Sequence, residues 1–125
     1  GITPVRALAE ELCADPGTRP GAVTLVYRVD SPDEVVLQAE LQELAASSGL
    51  TLHVLTGPPA AGSWLPPGWA TAAGGDGPAL ARLVPGVRAQ DVYVCGPPRW
   101  MDLVHAGLAD AGVPGRQIHD ERFAW

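Results

Sequence analysis

Asp91-Val-Tyr-Val-Cys95-Gly96-Pro97-Pro98 is the stretch that decides how the rest of the chain is read. Asp91–Cys95 is a short run of β-branched and aromatic residues, the composition of a strand. Gly96 and the two prolines break it. Arg99–Ala111 then sets Trp100, Leu103, Val104, Gly107, Leu108 and Ala111 at helical spacing. A strand that turns tightly into a helix is half of a parallel βαβ unit. Gln117–Phe123 supplies the strand candidate that follows.

The pattern repeats toward the N-terminus. Leu50–Thr56 and Val23–Arg28 are two further strand candidates. Between them, Ser31-Pro32-Asp33-Glu34 has the form of a capping box with Pro at the first helical position. It predicts a helix with Leu37, Leu41, Leu44 and Ser48 on one stripe and Gly49 as its stop. Thr3 as N-cap and Pro4 as first residue open another helix, with Val5, Leu8, Ala9 and Leu12 on one face. Asp76 and Pro78 begin a short helix through Leu80, Leu83 and Val84. The resulting order, α-β-α-β-loop-α-β-α-β, predicts a doubly wound three-layer α/β/α fold with a mostly parallel sheet. That order starts on a helix, so the first strand, and the phosphate loop expected after it, are expected to be missing. Gly57–Gly77, rich in Gly, Pro and Ala, reads as a functional loop or a disordered insert, with Trp64 and Trp69 as anchors.

Length and composition bound the function. A chain of 125 residues with 46% apolar content is one domain with one core. A net charge of −6 argues against nucleic acid as a partner, because phosphate backbones demand a basic face. No run of about 18 apolar residues occurs, so no membrane segment is expected in this chain. No basic leader opens it. Cys13 and Cys95 are too few for a disulfide scaffold, and with His53, His105 and His119 they show no metal spacing. The expected setting is cytoplasmic, including the cytoplasmic part of a membrane protein.

In doubly wound sheets ligands lie beyond the carboxyl ends of the strands. Four groups of residues fall there or at a helix start. Gly1-Ile2-Thr3-Pro4 opens a helix whose free N–H groups and dipole suit a pyrophosphate, although an ordinary helix cap is the commoner use of such a tetrapeptide. Arg28 ends a strand where an Arg accepts a 2′-phosphate, which leans toward NADP. Asp30 pulls the other way, toward free ribose hydroxyls, and a solvated strand-end Arg is the plain alternative. Cys95 ends a strand, where it either meets a ligand or simply packs. Glu121-Arg-Phe123-Ala-Trp125 closes the chain with aromatics that stack on a flat cofactor or complete the core.

Gly-Ile-Thr-Pro, the Tyr27-Arg28 strand end, Val-Tyr-Val-Cys-Gly-Pro-Pro and the closing Glu-Arg-Phe-Ala-Trp occur in one order. That order resembles the NAD(P)-binding domain of ferredoxin–NADP reductase-like flavoenzymes, in the branch of bacterial ferric reductases and NADPH oxidases. The resemblance covers residues 1–125 apart from the 57–77 insert, and it implies that the flavin-binding domain of the same polypeptide lies outside this chain. It further implies that Gly1, Thr3 and Pro4 hold the pyrophosphate and that Arg28, with Ser31, meets the adenosine end. Cys95, Gly96 and Pro97 would flank the nicotinamide with Met101 behind. Glu121 and Phe123 would face the flavin. The implied cofactors are NADP or NAD, with NADP favoured, and FAD in the complete protein. The implied activity is hydride transfer from NAD(P)H to FAD, with Cys95 and Glu121 at the reacting centre, and electrons then pass to a haem, an iron centre or an iron–sulfur protein. A non-catalytic nucleotide-binding or interaction domain of the same fold is one alternative. A Cys95-nucleophile enzyme with His105 as base is another.

Overall fold

The computed structural model describes residues 2–19 and 22–120. The chain is α/β, and both strand pairs among the described residues are parallel. It divides into two compact units, Gly1–Gly57 and Pro58–Trp125.

The first unit contains α1 (Ile2–Ala14), β1 (Thr24–Val29), α2 (Gln38–Ser48) and β2 (Thr51–Thr56). β1 and β2 pair in parallel from Thr24↔Thr51 to Val29↔Thr56. Ala9, Leu25, Leu41 and Leu50 form its core, one residue each from α1, β1 and α2 and one from the entry to β2. Val5, Cys13, Leu37, Leu44 and Leu52 pack against that core. The contact face of α1 therefore runs Val5, Ala9, Cys13, four residues apart, while Leu8 and Leu12 are half-buried. α1 begins at Ile2, so Thr3 and Pro4 lie in its first turn and Thr3 is not the N-cap the sequence suggested.

The capping box does not open the helix. Pro32–Glu34 makes one 3-10 turn, and Ser31 makes no side-chain cap bond. The β-branched pair Val35-Val36 follows, which crowds a helix. The Val36 N–H donates to the Tyr27 hydroxyl at 3.2 Å instead of to a carbonyl one turn back. The helix resumes only after Leu37 turns through φ 58°, a left-handed conformation uncommon for a residue with a side chain. The Leu41 N–H then donates to the Leu37 carbonyl at 2.9 Å.

The second unit contains α3 (Trp69–Ala73), α4 (Asp76–Leu83), β3 (Val92–Val94), α5 (Pro98–Asp110) and β4 (Ile118–Asp120). β3 and β4 pair in parallel over three residues. The strand expected over Gln117–Phe123 is thus described to Asp120. Its buried residues include Leu65, Leu80, Val94, Met101, Val104 and Leu108. The 57–77 segment is irregular over 57–68 and then helical in α3 and the start of α4. Trp64 and Leu65 are buried, and the Trp64 ring meets Trp100 of α5 edge-on at 6.3 Å. Ser63 Oγ donates to Asp76 at 2.6 Å and accepts the Leu65 N–H. Trp64 is therefore the anchor, whereas Trp69 is exposed.

Leu41 is fully buried, so Leu41→Ala is expected to cost about 2–5 kcal/mol in urea unfolding. Val36→Ala, on an exposed side chain, is expected to stay within about 0.5 kcal/mol.

Candidate functional site

At the carboxyl edge of the first parallel pair, Val29 and Thr56 stand side by side in register. The chain leaves β2 through Gly57, whose N–H donates to the Val29 carbonyl at 3.3 Å. Arg28 reaches across this edge. Its Nη1 donates to the Gly57 carbonyl at 2.8 Å and also to the Val29 carbonyl. The guanidinium therefore ties the exits of both strands together, on the Gly57 carbonyl and, beside the Gly57 N–H, on the Val29 carbonyl. The sequence offered Arg28 as either a ligand contact or a solvated strand end, and the structure places its guanidinium on these two carbonyls at the sheet's carboxyl edge.

The turn after β1 is acidic. Asp30 presents its N–H to Glu34 Oε2 at 3.2 Å, so Glu34 closes the loop in place of the box the sequence suggested. Ser31 is half-buried in extended backbone, and its hydroxyl is not used as a cap. Glu34 and Gly57 were not among the sequence candidates. The signal for Glu34 was present in the capping box but pointed to the wrong acceptor role. For Gly57 only its place at a strand end marked it.

The second unit holds the Cys95-Gly96-Pro97 turn. β3 ends at Val94, buried, and Cys95 follows as a half-buried thiol. Pro97 is the N-cap of α5 and Pro98 its first residue, where the missing N–H costs nothing. The Met101 N–H donates to the Pro97 carbonyl at 2.9 Å, and the Met101 side chain is buried behind the turn. Gly96 is required by packing: a Cβ there would come within 2.5 Å of the Trp100 indole. Cys95, Gly96, Pro97 and Met101 are thus brought to one strand-to-helix junction. A parallel strand that ends at a helix N-terminus is where this class of fold receives anionic and flat ligands.

His105, offered by the sequence as a base for Cys95, is engaged elsewhere. Its Nε2 donates to Asp120 at 2.6 Å, joining α5 to β4. His119 stacks on its cross-strand neighbour Tyr93 at 4.8 Å and lies 3.2 Å from Asp91. These pairs engage His119 in the β3–β4 ladder and His105 in a link from α5 to that ladder's end. Among the described residues no three of His, Cys, Asp and Glu gather as a metal site requires. No helix among them is long and apolar enough to cross a membrane. Gly1, Glu121 and Phe123, three of the sequence candidates, lie outside the described residues. Thr3 and Pro4 are placed only by their backbone, in the first turn of α1.

Comparison with known proteins places these features. Residues 1–106 match the family model for the oxidoreductase NAD-binding domain. The chain is 34% identical over 125 residues to the ferredoxin reductase component of 3-ketosteroid-9-alpha-monooxygenase from Mycobacterium tuberculosis (strain ATCC 25618 / H37Rv), covering 98% of this chain and 31% of that protein. The component of the same name from Rhodococcus rhodochrous is 30% identical with the same coverage. The chain therefore spans less than a third of the length of these relatives. Among solved structures, the flavohem-like FAD/NAD-binding domain of nitric oxide dioxygenase from Vibrio cholerae O1 biovar El Tor superposes with a TM-score of 0.75 at 28% identity. That match covers 98% of this chain and 47% of the other.

Gly96→Ala is expected to displace Trp100 and cost about 1–3 kcal/mol of stability. Near-UV circular dichroism checks it, because the edge-on Trp64–Trp100 contact contributes tryptophan ellipticity that the variant should lose.

Proposed function

This chain belongs to the oxidoreductase NAD-binding domain family, and from that membership we propose that it is the NAD(P)H-binding part of a ferredoxin reductase-type flavoenzyme. The observation that carries the reading is the Cys95-Gly96-Pro97 junction. It stands at the carboxyl end of a parallel strand and opens a 13-residue helix, with a glycine that packing forbids to carry a side chain. Such a junction sets a half-buried thiol beside a helix N-terminus, where this class of fold receives its ligand.

In the complete protein the bound cofactors supply the chemistry, a hydride passing from nicotinamide to FAD and electrons then leaving singly to a haem, an iron centre or an iron–sulfur protein. The work of this chain is to bind and orient. Cys95, Gly96 and Pro97 would position the nicotinamide, with Met101 as an apolar backing that keeps water out. The first turn of α1, with Gly1, Thr3 and Pro4, would hold the pyrophosphate on free N–H groups and the helix dipole. Arg28 and Ser31 would meet the adenosine end, Arg28 leaning toward NADP. Glu121 and Phe123 would face the flavin, which the flavin-binding domain of the same polypeptide supplies. The named activities of the relatives, a ferredoxin reductase component and a nitric oxide dioxygenase, support an iron–sulfur or haem acceptor. A cytoplasmic location suits that partner set.

Two measurements on the full-length protein test this. Cys95→Ser is expected to slow hydride transfer about ten- to a hundredfold in stopped-flow absorbance, with no covalent adduct by mass spectrometry. A trapped thioadduct would give Cys95 the nucleophile's part instead. Arg28→Gln is expected to weaken NADPH about tenfold while sparing NADH, since a bond to a charged group is worth about 1.5–3 kcal/mol. Equal loss of both nucleotides would confine Arg28 to its bonds with Val29 and Gly57, and no binding of either nucleotide by the unaltered protein would sink the nucleotide reading.

A further inference from the structure

A cleft of about 400 Å³ lies in the second unit along α3 and α4, in residues the nucleotide reading does not use. Its shape follows from the sequence. α3 is only five residues long, and Gly74 and Gly75 end it at φ 91° and 135°, conformations that glycine adopts readily. Both of their N–H groups donate to the Ala70 carbonyl, at 2.9 and 2.7 Å, so the chain reverses at once into α4. The facing side chains are small: Ala72 and Ala73 on α3, Ala79 on α4. Small side chains on two helices in contact leave a gap where Leu or Ile would fill it.

The remaining lining is specific. Trp69 stands at the mouth with 40% of its surface exposed, a large ring that a soluble surface ordinarily buries. Arg82 and Leu83 follow Ala79 at i+3 and i+4, so all three share one face of α4. Arg82 is exposed and takes part in none of the ion pairs among the described residues. No carboxylate lines the cleft, although the chain carries 14 acidic residues and a net charge of −6. A cleft of this size, open to solvent and lined by apolar groups with one cation, combines an apolar surface and a charge that a small molecule can use.

The geometry points to a second ligand site in the α3–α4 cleft, one that takes a flat apolar ring bearing one carboxylate. The ring stacks on the Trp69 indole over the alanine floor, and the carboxylate is met by the Arg82 guanidinium. Charge complementarity selects this occupant over a neutral ring, because the site offers one cation and no acceptor side chain. The site is independent of the nucleotide-binding reading.

The test is ¹⁵N NMR of the 125-residue chain titrated with 2-naphthoate and with its neutral isostere 2-naphthamide. Naphthoate is expected to give saturable shifts confined to the amides of Trp69–Ala73 and Ala79–Leu83, with naphthamide binding about tenfold more weakly. Arg82→Gln is expected to abolish the preference for the acid. Trp69→Phe, which keeps a ring, is expected to weaken both ligands and keep the preference. The proposal is overturned if acid and amide bind alike, if the shifts scatter over the chain, or if none saturate at millimolar ligand. It is equally overturned if the same amides shift on dilution without ligand, which would assign this face to a second copy of the chain.

Discussion

Two strands that run parallel cannot be joined by a tight turn, because the chain must travel back the full length of the first strand before it can enter the second. Both units of this protein are built around that demand. In the first, α2 carries the chain from Val29 back to Thr51, and in the second, α5 carries it from Val94 back to Ile118. The return helix must cover one face of the pair, so it needs an apolar stripe. α2 supplies Leu41 and Leu44, and α5 supplies Met101, Val104 and Leu108. The same constraint gathers the strands' exits at one edge of each pair. Arg28, Ser31 and Gly57 stand at one such edge, Cys95, Gly96 and Pro97 at the other.

Within the second unit, glycine sets how closely the elements approach. A Cβ on Gly77 would come within 2.3 Å of Asp110, and its N–H donates to that carboxylate at 3.1 Å. A Cβ on Gly107 would come within 3.0 Å of the Trp64 indole. α4, α5 and the segment before α3 therefore meet backbone to side chain at these points. That closeness allows residues 58–75 to fold around Trp64 and Leu65. Burial of these two side chains, with the dispersion Trp64 gains against α5, offsets the ordering of the segment.

Arg28 unites two demands on one side chain. The Gly57 carbonyl takes its donor from the guanidinium, which also shares the Val29 carbonyl with the Gly57 N–H. A ligand anion at that edge would meet a cation already fixed in place, which lowers the entropic cost of binding it. Asp30, Asp33 and Glu34 follow immediately, so the same loop sets a cation beside three acids. The balance between them is an electrostatic question that sequence spacing alone leaves open.

Much of the fold was legible in the residues. The runs Val-Thr-Leu-Val-Tyr and Val-Tyr-Val, the stripe at Leu37, Leu41 and Leu44, and the Gly96-Pro97-Pro98 break fixed the element types and their parallel order, because period and turn chemistry act over a few neighbouring residues. The strand-to-helix junction at Cys95–Pro98 was legible for the same reason. What the sequence could not decide was every feature set by a partner far along the chain. The helix expected from Ser31 lost the Val36 N–H to the Tyr27 hydroxyl, nine residues back from Val36. His105 was drawn to Asp120, Trp64 found its place against Trp100, and Arg28 found the carbonyl of Gly57, 29 residues on. Local propensity is worth tenths of a kcal/mol per residue, whereas a buried ring or a charged hydrogen bond is worth more, so where the two compete the tertiary contact decides.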